Sequence, residues 1–150
     1  MRIALGSDHA GFDLKEMVRG WLQEDGHEVV DIGPATFDPT DDYPDYARLV
    51  AEAVARGEVE RGLIVCSTGQ GSCMAANKVR GVRAALCHDL FCARLSRQHN
   101  DANVLCLGSN VIGPGLAREV AELWLAEPFS DEAKHRRRVE KVNRIEGGGG

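Results

Sequence analysis

The strongest constraint on this chain is a rhythm. Short runs of aliphatic residues, without a polar residue at every second position, alternate with longer stretches in which apolar residues recur at helical spacing. The first run, RIALGS, is followed by Leu14, Met17, Val18, Trp21 and Leu22 at i, i+3, i+4, i+7 and i+8, which is one face of a helix. HEVVDIG predicts a second strand. After the loop PATFDPTDDYP, Tyr46, Leu49, Val50, Ala53 and Val54 repeat the helical spacing. RGLIVCS is a third strand, and then come a helix over about 71–80, the strand VRAALC, a helix over about 89–98 with Asp89 as N-cap, and the strand NVLCLG. A helix over 114–126 carries Leu116, Val120, Leu123 and Trp124, with Pro128 just beyond it. A charged helix over 131–145 carries Val139, Val142 and Ile145.

Five strands that are apolar on both sides must be covered on both sides, so the sheet is parallel and the helices are its crossovers. Right-handed connections then give an α/β, Rossmann-like doubly wound sheet, expected in the order 2-1-3-4-5 with an extra C-terminal helix. One domain over residues 1–146 accounts for the pattern. The terminal glycines 147–150 cannot pack and are expected to form a disordered tail.

Composition narrows the function. A net charge of −5 gives no global field for nucleic acid, and the basic run Lys134 to Arg138 is too short to supply one. No stretch approaches a membrane span, and MRIALGSDHAG turns polar too soon for a signal peptide, so a cytoplasmic protein is expected. The five cysteines, Cys66, Cys73, Cys87, Cys92 and Cys106, include no CxxC pair, which suggests neither a disulfide framework nor a zinc site. Cys87 and Cys106 lie in apolar runs and read as small buried hydrophobes.

In such sheets ligands bind beyond the carboxyl ends of the strands where the order reverses, here between strands one and three. The two loops at that place are SDHAG and CSTGQGS. The first offers Asp8 and His9. The second offers Cys66, the hydroxyls of Ser67, Thr68 and Ser72, and glycines at 69 and 71 that let backbone N–H groups converge as an anion cradle. Such a cradle favours a thiolate. A thiol phosphatase would need an arginine six positions after the cysteine, where this chain has Ser72. A phospho-accepting receiver would need an aspartate where Cys66 stands, and no second cysteine has redox spacing. Proton transfer remains. His99 and Asn100, in SRQHNDANV, end a crossover helix at the other edge of the sheet, roughly 15 Å from this cradle. Either His99 caps its helix electrostatically or it serves a neighbouring subunit, and a dimer with shared sites is inferred. The basic face of KHRRRVEKV is either solvated or reaches across in the same way.

Taken together, SDHAGF, DYPDYA, CSTGQGSCMAANK, GVRAA, ARLSRQHNDANVL and HRRRVEKV closely resemble the ribose-5-phosphate isomerase B family, which includes the galactose-6-phosphate isomerase subunits. The resemblance runs from residue 2 to about 145. It implies an aldose–ketose isomerase that works through a cis-enediolate without metal or cofactor, on a small sugar phosphate, in a homodimer with sites built from both chains; pairing into tetramers is left open. By the same resemblance Cys66 matches the proton-abstracting base, His99 the ring-opening residue, and Asp8 and His9 the pair that contacts the sugar. The loop Ser67, Thr68, Gly69, Gln70 and Gly71 matches the one whose N–H groups hold the enediolate. Asn100 matches a ligand contact and Arg138 a phosphate-binding arginine. Thr68 either orients substrate or is an ordinary N-cap.

Two positions depart from the family pattern. The family commonly has arginine where this chain has Asn110 and Lys134, and both changes weaken bidentate phosphate recognition. A lost charged hydrogen bond is worth about 1.5–3 kcal/mol, enough to shift preference toward a four- or six-carbon sugar phosphate or toward free ribose or allose. Arg136 and Arg137 do not fully share Arg138's helix face. A sugar-binding module without catalysis would leave the pairing of Cys66 with His99 unexplained.

Overall fold

The computed structural model describes residues 1–146; the glycine tail lies outside the described residues. Five parallel strands, β1 (Arg2–Ser7), β2 (Glu28–Gly33), β3 (Arg61–Cys66), β4 (Ala84–Leu86) and β5 (Val104–Gly108), form one sheet. Between and after them run α1 (Phe12–Glu24), α2 (Tyr43–Ala55), α3 (Gln70–Ala76), α4 (Leu90–Asn100), α5 (Pro114–Ala126) and α6 (Ala133–Ile145). A single 3-10 turn, His9–Gly11, precedes α1.

The expected layered architecture is present. On one face Ile3 and Leu5 of β1, Leu63 and Val65 of β3, and Leu105 and Leu107 of β5 pack against Val18, Val120 and Trp124. On the other, Ala4, Ile64, Val104 and Cys106 meet Val50 and Ala51 of α2. Successive residues of a strand point to opposite faces, and both faces are covered, which is why these strands show no alternation. Each fully buried Leu, Ile or Val contributes about 1.5–3 kcal/mol of transfer energy.

The strand order is β2-β1-β3-β5-β4, not 2-1-3-4-5: the last two strands are exchanged. The cause is their unequal burial. All five residues of VLCLG are buried, whereas β4 is three residues long and half-buried, so the longer strand takes the interior and the short one the edge. The reversal between β1 and β3 is unaffected.

Other differences from expectation are local. Met17 and Leu49, though at helical spacing, are exposed, because the buried stripes of α1 and α2 are narrower than the apolar pattern. Helix α3 has seven residues rather than ten. Asn77 ends it by donating to Cys73 O (3.0 Å) and Ala84 O (2.9 Å) while accepting the Ala84 N–H (2.9 Å), which pulls the chain toward β4. Asp89 caps α4 as expected, accepting the Cys92 N–H at 2.7 Å. Asp131 has φ +51°, and α6 starts two residues later than the charge pattern suggests. No helix of the described residues is long and apolar enough to cross a membrane.

Candidate active site

Cys66 is the last residue of β3 and is 4% exposed. Its sulfur accepts the Gly69 N–H and the Ser72 hydroxyl, both at 3.1 Å. The loop can curl over the sulfur because Gly69 sits at φ +77°, where a Cβ would also lie 2.3 Å from Leu86 Cδ1. At Gly71 a Cβ would lie 2.6 Å from the Tyr43 ring, so α2 packs directly on backbone there. Gln70 and Gly71 open α3, and their N–H groups have no intrahelical acceptor. The Thr68 hydroxyl meets the Gln70 N–H at 3.4 Å, and the N-cap itself is Gly69. Since α3 is so short, the cradle owes its donors to loop geometry more than to a helix dipole.

The loop after β5 braces this cradle. The Ser109 N–H donates to Cys66 O (2.8 Å), and its hydroxyl to Ala10 O (2.7 Å), tying the loops after β1, β3 and β5 together. Asn110 donates to Ser67 through its backbone (3.0 Å) and its amide (2.9 Å). Asn110, expected from the sequence at the phosphate end of the site, is therefore engaged with Ser67.

Asp8 is buried, and its carboxylate accepts the Gly11 N–H at 3.0 Å; burial pushes its pKa above the usual carboxylate value. His9 beside it makes two contacts with one oxygen of Asp41, from its backbone N–H (2.9 Å) and its ring Nδ1 (2.8 Å). The Asp41 hydrogen bond raises the imidazole above its ordinary value. Asp41 comes from the loop between β2 and α2, and its side chain is 7% exposed.

The other expected residues lie elsewhere. Cys66 is paired with Gly108 at the C-terminal end of β5, whereas Asn103, just before that strand, follows the end of α4. Five residues of strand place the two edges roughly 16 Å apart. At the far edge His99 stacks on His135, ring centroids 4.1 Å apart. His135 is buried and meets the Ser130 hydroxyl at 2.7 Å; burial, then the neighbouring His99, lowers its pKa. Asn100 and Arg138 line a cavity of about 620 Å³ with Arg80, Arg83, Val142 and Ile145. Arg138 is exposed and, among the described residues, makes no ion pair. Lys134 pairs with Glu132 at 2.9 Å, and Arg136 turns back on Asp131.

One chain therefore brings together Asp8, His9, Cys66, the 67–71 loop and Asn110, and keeps His99, Asn100, Lys134 and Arg138 apart from them. Sequence reasoning missed Asp41, Ser109 and His135, and gave Ser72 no role. Only Ser72 and Ser109 had a signal, their place within a few residues of the carboxyl ends of β3 and β5. Cys87 and Cys106 are buried as expected, and burial pushes the Cys87 thiol up to about 11. Among the described residues no group of three His, Cys, Asp or Glu side chains is placed to hold a metal ion.

The chain is similar to several known isomerases. The ribose-5-phosphate isomerase B of Escherichia coli is 47% identical over 145 residues, 97% of this chain and 96% of that protein. A D-erythrulose-4-phosphate isomerase of Pectobacterium atrosepticum is 44% identical over 132 residues, 86% of this chain and 85% of its own. The solved ribose-5-phosphate isomerase B of Clostridium thermocellum superposes with a TM-score of 0.95 at 45% identity, covering 99% of both chains. The profile of the ribose/galactose isomerase family matches residues 3–142, and the chain belongs to that family of enzymes.

Proposed function

We propose that this isomerase interconverts ribose 5-phosphate and ribulose 5-phosphate through a cis-enediolate, with Cys66 as the base, acting as one domain over residues 1–146. The observation that carries the reading is the Cys66 sulfur at the carboxyl end of β3, held by two donors under a loop of backbone N–H groups. A base there can reach a sugar C2 proton while O1 and O2 face the loop. The thiolate takes that proton. The C2–H pair becomes the C1=C2 bond, and the C1=O pair retreats onto O1. The N–H groups of the 67–71 loop other than that of Gly69, which donates to the Cys66 sulfur, stabilise this oxyanion more than the neutral aldose, which is what accelerates the step. The thiol then returns its proton to C1, the O2 proton passes to O1, and the carbonyl stands at C2. Asp8 and His9 hold the sugar hydroxyls.

The ring must first open, and this chain's own His99 is at the wrong edge. In the proposed homodimer His99 of the partner subunit opens the ring, and the partner's Asn100 and Arg138 bind the far end of the substrate. The outward, unpaired Arg138 supports this reading.

A second reading rests on Asn110, engaged by Ser67, and Lys134, engaged by Glu132. With two family arginines absent, a four-carbon sugar phosphate or an unphosphorylated aldose becomes a competing substrate. The relative that acts on D-erythrulose 4-phosphate favours the first of these. The test is kcat/KM of the purified protein on ribose 5-phosphate, erythrulose 4-phosphate, free ribose and free allose. Ribose 5-phosphate is expected to lead by more than about tenfold; a lead by erythrulose 4-phosphate or a free sugar overturns the assignment in favour of that substrate.

A further inference from the structure

We propose that Ser72 is the positioning residue that keeps the Cys66 sulfur in its base-competent thiolate form. The proposal deepens the reading of Cys66 as base and rests on it.

Ser72 has no exposed surface, and its hydroxyl lies 3.1 Å from the Cys66 sulfur and 3.2 Å from Gly69 O. One hydroxyl proton thus has two acceptors. A buried hydroxyl must donate to one of them, because leaving it unpaired is costly. Against a thiolate the choice is settled, since a charged acceptor outcompetes a neutral carbonyl. Against a thiol it reverses, since neutral sulfur is a weak acceptor. The hydroxyl therefore points at sulfur while Cys66 awaits the C2 proton. It turns to Gly69 O once that proton has arrived, leaving the thiol free to deliver it to C1. At Ser72 only the hydrogen bond changes; the C2–H bond breaks as S–H forms, and S–H breaks as C1–H forms, with the same proton carried throughout.

The other buried thiols make the contrast. Cys87 is 1% exposed, but its hydroxyl neighbour, Ser96, is 3.8 Å away, and burial pushes that thiol up to about 11. Cys106 is wholly buried, and its hydrogen bond with Cys73, then burial, raises its pKa. Burial works against a thiolate at Cys87, and Cys66 differs by receiving two short donors. Removing Ser72 leaves only the Gly69 N–H.

The test is the pH dependence of kcat/KM for the best phosphosugar substrate, from about pH 5.5 to 9.5, in wild type, Ser72→Ala, Ser72→Cys and Ser72→Thr. Ser72→Ala is expected to lose about tenfold at pH 6 and to return to within about twofold at pH 9, a displacement of its acid limb by about one unit. Ser72→Cys, which fills the space with a weaker donor, is expected to move the limb in the same direction and decides the matter should Ser72→Ala not fold. Ser72→Thr keeps the donor and the wild-type limb. Iodoacetamide alkylation followed on the Cys66 peptide is expected to slow at pH 6 in parallel; peptide resolution separates Cys66 from the exposed Cys92 and from Cys73, whose thiol is lowered to about 7 by its contact with Cys106. A Ser72→Ala profile that is unchanged, or scaled equally at every pH, overturns the proposal. Cys66→Ala separates the two readings: substantial activity in that variant removes the base assignment itself, whereas an inactive Cys66→Ala with an unmoved Ser72→Ala limb removes only the role of Ser72.

Discussion

The crevice between β1 and β3 and the α4–α6 edge opposite it are built in contrasting ways. In the crevice the candidate base and its closest neighbours are buried and braced: Asp8, Cys66 and Ser72 are at most 6% exposed, and Ser109 and Asn110 tie three loops together. At the α4–α6 edge Asn100 and Arg138 are exposed, and they face a cavity of about 620 Å³. The backbone donors that meet the oxyanion must be fixed before substrate arrives, because reorienting them during reaction would consume the stabilisation they provide. A phosphate clamp has no such need. The proposed sharing of sites between two copies accounts for the difference: each chain finishes one half internally and leaves the other half open to the partner.

The harshest way to break this comparison is Cys66→Ala. The variant should fold, since it removes one sulfur from a site braced by backbone, and kcat should fall about a thousandfold. If more than a tenth of wild-type turnover survives, the crevice does not hold the base.

His99→Ala comes next, with an expected loss of about a hundredfold on ring-closed sugars and much less on acyclic ones. It also tests the division directly. Two inactive variants, Cys66→Ala and His99→Ala, unfolded and refolded together, should regain about a quarter of wild-type activity, because half the dimers are mixed and each mixed dimer contains one intact site. No recovery would place both residues in a site made by one chain.

Arg138→Ala is milder. It should raise KM for a phosphorylated substrate about tenfold or more with kcat nearly kept, and leave any activity on free sugars unchanged. An equal loss on both kinds of sugar would show that Arg138 supports the fold rather than the phosphate.

The two halves were unequally legible in the sequence. The crevice could be read because strand, cysteine and glycine loop are contiguous, and because the apolar rhythm fixed which loops share an edge. The exchange of β4 and β5 was not legible, since AAL and VLCLG differ in length and burial rather than in pattern. Asp41 is separated from His9 by 32 residues and sits in an irregular loop, where no periodicity says which way a side chain points. His135 reads as one more polar residue in a charged helix until α4 is packed against it. Contacts between distant segments carry no local signature, and much of the bracing around this site is of that kind.

The smallest expected effect concerns that hidden Asp41 pair and asks whether the crevice is braced electrostatically as well as by backbone. The Asp41 hydrogen bond raises His9 above the ordinary imidazole value of 6.5. A group raised on folding stabilises the fold fully below its unfolded pKa, and that contribution is lost as pH rises through the folded one. The pair therefore supports the fold at about pH 6 and not at pH 9. Asp41→Asn should lower Tm by about 2 °C more at pH 6 than at pH 9, a small difference because His9 is partly solvated. In the same variant KM for a sugar phosphate should rise more at pH 7 than at pH 9, since His9 is less often charged without its carboxylate. A Tm difference that does not change with pH would mean that Asp41 holds His9 by geometry alone, and the crevice would then owe its order to hydrogen bonds that do not titrate.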